Sequence, residues 1–110
     1  MSRLAAGTRR PDPDLARLER NAAEAAGLLK LLANEKRLLI LCQLAATGEM
    51  SVSRLAGAVD LSQSALSQHL AKMREEGLVG TRREAQTVYY HLADANAARV
   101  LKLLKGILCP

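Results

Sequence analysis

Five polar residues divide this chain into short helical segments and so set most of what it can fold into. Each is a type that caps helix N-termini, and each precedes apolar residues spaced three or four apart. The caps are Asp14, Asn34, Ser51, Ser62 and Asp94. The five predicted helices run from Asp14 to about Ala33, from Glu35 to Ala46, from Val52 to Val59, from Ser62 to Gly77, and onward from Asp94.

Two short strands are predicted between the fourth and fifth helices. The segments from Val79 to Arg83 and from Thr87 to Leu92 hold most of the β-forming residues, and Glu84-Ala85-Gln86 joins them as a hairpin. The remaining composition favours helix, because 21 Leu and 19 Ala dominate the apolar residues while Phe and Trp are absent. We therefore expect a mainly α fold with a small β-hairpin.

The length of 110 residues fits one compact domain rather than two. We place that domain at 14–110 and expect residues 1–13, which hold three Arg residues before the first acid, to form a mobile basic tail. The longest apolar run, Leu38 to Cys42, is far too short to cross a bilayer, and the first twenty residues hold no signal-peptide core. These features predict a cytoplasmic protein.

A net charge of +5 and a pI near 9.7 favour a polyanionic partner, either nucleic acid or an anionic membrane surface. The third and fourth predicted helices, joined at Asp60-Leu61, have the spacing of a helix-turn-helix and so favour DNA. The fourth helix has an almost uncharged face of short or amide side chains: Ser64, Ser67, Gln68 and Ala71. Such side chains pair with base edges in the major groove, whereas an ordinary solvated face, the alternative, more often carries Glu and Lys.

These patterns predict DNA contacts from the fourth helix and the hairpin. The candidate residues are Ser62, Gln63, Ser64, Ser67, Gln68, His69, Lys72, Arg82, Arg83 and Gln86. We expect the Gln and Ser side chains of the helix to contact bases. We expect Lys72, Arg82 and Arg83 to contact phosphates, which makes affinity fall as salt rises. Nearby glutamates offset these cations, so a second copy of the domain is expected to strengthen binding.

Three segments, 28–41, 61–70 and 88–92, closely resemble the arsenic-repressor (ArsR/SmtB) family, and the likeness extends from about Leu15 to the C-terminus. The resemblance implies a homodimeric winged-helix repressor of operator DNA, with no enzymatic activity and no cofactor. It also implies that the first and fifth predicted helices form the dimer interface, that the fourth reads DNA and that the hairpin is the wing. Ala85 and Gln86 stand where many relatives have Gly and a basic residue, which leaves a minor-groove contact of the wing open.

Many members of this family sense metals, but the matching ligand positions are mostly lost here. Ser51 and Ser53 stand where one subgroup has two cysteines, and a hydroxyl is a poor ligand for soft metals. The other common site uses an Asp, two His and a Glu, of which only Asp94 remains. The other three positions hold Asn96, Ile107 and Pro110. We therefore predict no metal site, and expect His69 and His91 to be packed or hydrogen-bonded.

The two cysteines, Cys42 and Cys109, resemble the sensing pair of the thiol-based subgroup of sulfide- and persulfide-responsive regulators (SqrR/BigR/HlyU-like). Without the family, Cys42 fits a small buried hydrophobe. It lies on the predicted buried stripe of Leu38, Leu41, Cys42 and Ala45. Cys109 precedes Pro110, which disfavours helical geometry and favours an accessible thiol. We hypothesise that reactive sulfur or another oxidant links the two thiols and weakens operator binding.

Three other functions stay open at this point. A metal or metalloid sensor would use Cys42, Cys109 or His91. A small thiol oxidoreductase would work through the two cysteines, although the chain has no Cys-x-x-Cys pair. A helical protein-interaction module would never bind DNA, and a steep salt dependence of DNA binding would exclude it.

Overall fold

The computed structural model of the protein describes residues 13–108, and within that range the chain forms six helices and three strands. They are α1 Pro13–Arg20, α2 Ala22–Leu32, α3 Glu35–Thr47, β1 Glu49–Ser51, α4 Val52–Val59, α5 Gln63–Glu75, β2 Val79–Glu84, β3 Thr87–Leu92 and α6 Ala95–Leu108. This mainly helical chain with a small sheet confirms the predicted fold class. The proposed tail before Pro13, Cys109 and Pro110 lie outside the described residues. None of the described helices is long and apolar enough to span a membrane.

The described residues divide into two compact units, 13–31 and 32–108, where the sequence predicts one domain from residue 14. The first unit holds α1 and most of α2, where the sequence predicts one helix. Only Asn21 separates α1 from α2. Backbone bonds continue across it, since the Asn21 amide donates to Arg17 O and Leu18 O and the Asn21 carbonyl accepts from the Ala25 amide at 3.0 Å. Asparagine is typical of such a break, since its side chain competes with helical backbone bonds.

In the second unit, α3 packs against α4, α6, β1 and β3. Its buried face is the set Ile40, Leu41 and Leu44. The stripe predicted for this helix is therefore wrong: Cys42 and Ala45 are exposed and Leu38 is half-buried. The five-residue apolar run at 38–42 has no helical periodicity, so the sequence alone does not show which face turns inward.

The buried stripes of α4 and α5 agree with the sequence. Leu55, Ala56 and Val59 follow helical spacing in the sequence, and all three are buried in α4. On α5 the buried residues are Leu66, Leu70 and Met73, while Ala65 is half-buried. On α6 the residues Ala97, Leu101, Leu104 and Leu108 follow helical spacing in the sequence, but only Ala97 and Leu101 are buried, while Leu104 is half-buried and Leu108 is exposed. The core thus ends near the middle of α6.

Local capping fixes where the helices begin and end. α1 begins at Pro13, a favoured first helical residue, so Asp14 lies in the first turn rather than at a cap. The other four predicted caps form, each accepting a bond from a backbone amide two or three residues later: Asn34, Ser51, Ser62 and Asp94. After α5, Gly77 takes a φ of +79° and donates to Arg74 O. The Leu78 amide donates to Met73 O, which completes a Schellman motif.

The three strands form an antiparallel sheet in the order β1-β3-β2. β1 was not predicted, since three residues are too few to show an alternating pattern; it pairs Met50 with Tyr90. The hairpin loop has two residues rather than three, because β2 continues to Glu84. Ala85 opens the loop with a φ of +57°, a left-handed conformation that favours glycine.

Candidate nucleic-acid interface

The helix-turn-helix consists of α4, a three-residue turn and α5. Asp60 adopts the left-handed conformation (φ 56°, ψ 51°), which Asp tolerates better than most non-glycine residues. The Leu61 amide then donates to Ala56 O at 3.2 Å, and the Ser62 side chain caps α5 by accepting from the Ala65 amide at 3.0 Å. The turn therefore sets the direction of α5 through backbone bonds and one side-chain cap.

The two faces of α5 differ as predicted. Leu66, Leu70 and Met73 are fully buried. The predicted base-contacting and capping residues are all exposed, namely Ser62, Gln63, Ser64, Ser67, Gln68 and Ala71. His69 is half-buried at the border of the two faces, and Lys72 is exposed towards the C-terminus. This outward face carries no acid before Glu75, so a DNA phosphate meets no repulsion along three turns of the helix.

The predicted wing cations lie on opposite faces of the sheet, because consecutive strand residues alternate. Arg82 is already engaged: its Nε donates to both carboxylate oxygens of Glu49 at 3.1 and 3.2 Å, and its Nη1 donates to Glu84 Oε1 at 2.9 Å. Arg82 lowers the pKa of Glu49, mainly through this hydrogen bonding, and the two carboxylates raise the pKa of Arg82. Arg83 and Gln86 are exposed, and Arg83 forms no ion pair with any residue in 13–108.

The imidazole of His91, on β3, packs against Gly80 of the neighbouring strand β2, in agreement with the prediction that this histidine is packed. A Cβ atom built on Gly80 would lie 2.8 Å from His91 Nε2, so a larger residue at position 80 would require the imidazole to shift. Within residues 13–108, the structure places no three His, Cys, Asp or Glu side chains where they could hold a metal ion.

Of the two predicted sensing thiols, Cys42 is exposed on α3, so the interpretation as a buried hydrophobe is wrong. Cys109 lies outside the described residues. The first residue before it, Leu108, ends α6, and α6 packs against α3, the helix that bears Cys42.

One pair that the sequence does not reveal joins α3 to the end of α5. Arg37 donates from Nη1 to Glu76 Oε1 at 2.7 Å and from Nη2 to Glu76 Oε2 at 3.3 Å. The two side chains are 11% and 23% exposed, so the pair is shielded from water on most sides. A separation of 39 residues leaves no local pattern from which to predict it.

Comparison with known proteins agrees with this architecture. The model of the family "Bacterial regulatory protein, arsR family" matches residues 34–81, which span α3 to the beginning of β2. The transcriptional activator HlyU of Vibrio cholerae is 50% identical over 96 residues, covering 87% of this chain and 88% of its own. The biofilm growth-associated repressor of Agrobacterium fabrum is 47% identical over 92 residues, covering 84% and 78%.

A solved structure shows the same fold. Reduced HlyU from Vibrio cholerae N16961 superposes with a TM-score of 0.77 at 50% identity, covering 86% of this chain and 98% of that one. These relatives are transcriptional regulators rather than enzymes. The resemblance carried by residues 28–41, 61–70 and 88–92 is therefore confirmed, and the chain belongs to the arsR family of DNA-binding, winged-helix transcriptional regulators.

Proposed function

We propose that this chain is a cytoplasmic, homodimeric repressor whose operator affinity falls when Cys42 and Cys109 are oxidised or persulfidated. The observation that carries the proposal is the position of Cys42: it is exposed on α3, and α3 contacts both α6 and α4. A modification at this thiol therefore acts on a helix that adjoins the helix-turn-helix.

The chemistry needs an oxidant that accepts two electrons. With a low-molecular-weight persulfide, one cysteine thiolate attacks the outer sulfur, forms a protein persulfide and expels a thiol. The second cysteine then attacks the inner sulfur, forms the disulfide and expels hydrogen sulfide. A plain disulfide needs Cα atoms about 4.4 to 6.8 Å apart, so a wider separation favours a bridge lengthened by extra sulfur.

The path from α3 to DNA runs through packing and one ion pair. Arg37 lies five residues before Cys42 on α3 and pairs with Glu76, the C-cap residue that follows α5. A shift of α3 therefore acts on α5 both through α4 and through this pair. A dimer reads half-sites about one DNA turn apart, so a small displacement of one reader misaligns the other.

Exposed apolar side chains support assembly of two copies through the first and fifth predicted helices, which correspond to α1 with α2 and to α6. Leu15 and Leu18 of α1 are 53% and 55% exposed, and Leu103 and Ile107 of α6 are 63% and 60% exposed. Apolar side chains of this size at helical spacing favour burial against another protein surface. Pairing of copies through these helices would place two α5 helices on one duplex.

The experiment measures operator binding with and without polysulfide. The reduced protein first selects its operator from a random-sequence duplex pool. Polysulfide treatment should then weaken wild-type binding roughly 5- to 150-fold, the range of a coupling of about 1 to 3 kcal/mol. Cys42→Ser and Cys109→Ser should keep their affinity. Ala45→Ser, which adds a hydroxyl on the same exposed side of α3 and keeps both thiols, should respond like the wild type.

Intact mass and non-reducing electrophoresis identify the product. The expected species has a Cys42–Cys109 link, within or between protomers, with two hydrogens lost and, where the bridge is lengthened, whole sulfur atoms gained as well. Serine variants that respond like the parent, or no link after either polysulfide or peroxide, would refute the switch. Loss of DNA binding with equimolar zinc or arsenite would support metal sensing instead.

A further inference from the structure

One face of the sheet carries a cluster of charged side chains that spans all three strands. The register pairs Glu49 of β1 with His91 of β3, and Arg82 of β2 with Tyr89 of β3. Because side chains alternate along a strand, these residues and Glu84 all lie on the same face. The Arg82 guanidinium crosses the middle strand, 4.7 Å from the centre of the Tyr89 ring, to reach Glu49.

Glu49 and Glu84 bond to the N–H groups of Arg82 that would otherwise bind a phosphate. Arginine has five N–H donors in a fixed fork that suits carboxylate and phosphate equally. Glu49 takes bonds from Nε and Nη2 of Arg82, and Glu84 takes one from Nη1. Two negative charges thus face one positive charge, which leaves this face of the sheet with an excess of negative charge.

We propose that Glu49 and Glu84 act as built-in competitors of DNA phosphate for Arg82, and so hold the wing's contribution to DNA affinity below what its cations allow. A DNA phosphate that bonds to Arg82 must displace one carboxylate and then lie beside that negatively charged group. The exchange replaces one charge-assisted hydrogen-bonded pair by another and adds repulsion between the phosphate and the displaced carboxylate. The binding free energy therefore gains little from it. This face of the sheet therefore adds little sequence-independent affinity, and the uncharged face of α5 carries more of the discrimination. The proposal rests on DNA binding, which the family establishes, and not on the cysteines.

The test is a salt titration of the reduced, full-length protein on a fluorescein-labelled, mixed-sequence duplex of about 40 base pairs, a length that leaves room for a dimer on two half-sites. Glu49→Gln/Glu84→Gln removes both carboxylate charges and keeps the shape of the side chains. We expect the affinity at low salt to rise about tenfold. The slope of log affinity against log salt should steepen by about 0.9, the value for one more neutralised phosphate.

Two matched variants separate this competition from a general change in charge. Asp60→Asn/Glu75→Gln removes two acids from exposed positions on the helix-turn-helix that do not bond to Arg82, and should leave the slope unchanged. Arg82→Gln, added to the double variant of the wing, should return the slope to the wild-type value. Glu84→Gln alone should give a smaller gain, because the bonds to Glu49 remain.

The outcome decides the proposal in either direction. A wing variant with the wild-type slope, or a gain that persists without Arg82, would overturn it. Circular dichroism melts check that each variant is folded, and Glu84, 68% exposed near the hairpin loop, is the substitution least able to disturb folding. Failure of the thiol switch would leave this result unaffected, since every measurement uses reduced protein.

Discussion

The outward face of α5 and the polar face of the sheet use their side chains in opposite ways. On α5, the exposed residues Ser64, Ser67 and Gln68 lack charge and project towards solvent. On the sheet, Arg82 is held by two carboxylates and an aromatic ring. The comparison teaches that exposed charge is not the same as charge available to DNA. The helix with fewer charges offers more groups for recognition.

The largest effect is expected on α5. Gln68→Ala should weaken binding to a selected operator by about 1 to 3 kcal/mol, the cost of losing a two-bond contact with a base. Binding to a mixed-sequence duplex should change much less, because phosphate contacts remain. Gln86→Ala removes the same group from the hairpin loop and should affect both duplexes equally. Equal losses on both duplexes for Gln68→Ala would assign this face no role in base recognition.

The next effect concerns the pair that holds the end of α5. Glu76→Gln should lower the free energy of unfolding by about 1 to 3 kcal/mol, because it removes the charge of the carboxylate that accepts two bonds from the shielded Arg37. The neighbouring exposed Glu75→Gln should stay within about 0.5 kcal/mol. Urea denaturation measures both values. If the two variants were equally stable, the pair would not anchor α5.

A smaller effect is expected at the hairpin loop. Ala85→Gly should stabilise the protein by about 0.5 to 1 kcal/mol, since the left-handed conformation strains alanine more than glycine loses in chain entropy. The opposite sign is expected for Ala45→Gly, which should cost about 1 kcal/mol in the exposed interior of α3. Urea denaturation again reports both. Destabilisation by Ala85→Gly would show that the loop is not strained.

The smallest effect is the titration of Glu49. Its pKa lies below the ordinary value of 4.5, chiefly because Arg82 donates hydrogen bonds to its carboxylate. A lowered folded-state pKa means that the contribution of the pair to stability is present above 4.5 and is lost as the pH falls through the folded-state pKa. NMR should therefore show a midpoint below 4.5 in the wild type, and a higher one in Arg82→Gln. An unchanged midpoint in that variant would mean that Arg82 does not hold Glu49 in solution.

What the sequence predicts well is local. The caps at Asn34, Ser51, Ser62 and Asp94 bond to amides two or three residues away, so residue type and spacing are enough to place them. The stop at Gly77 and the uncharged face of α5 follow from the same kind of short-range pattern.

The features that the sequence does not predict are contacts between segments that are far apart along the chain and close together only in the folded structure. Arg37 and Glu76 are 39 residues apart, and Arg82 and Glu49 are 33 apart. β1 is recognisable only from its pairing with β3. The exposure of Cys42 depends on which face of an all-apolar run α3 turns to the core. The sheet likewise brings Glu49 and Tyr89 to Arg82 from segments outside its local pattern.

The backbone of Leu78 has a consequence for how this region can evolve. Its amide closes the Schellman motif on Met73, and its carbonyl accepts from the Ala93 amide at 2.8 Å, just beyond the other end of the hairpin. A single inserted residue at this junction would break both bonds at once, whereas the hairpin tip lies far from either. Lineages that vary this architecture should therefore lengthen the tip and keep the junction at constant length.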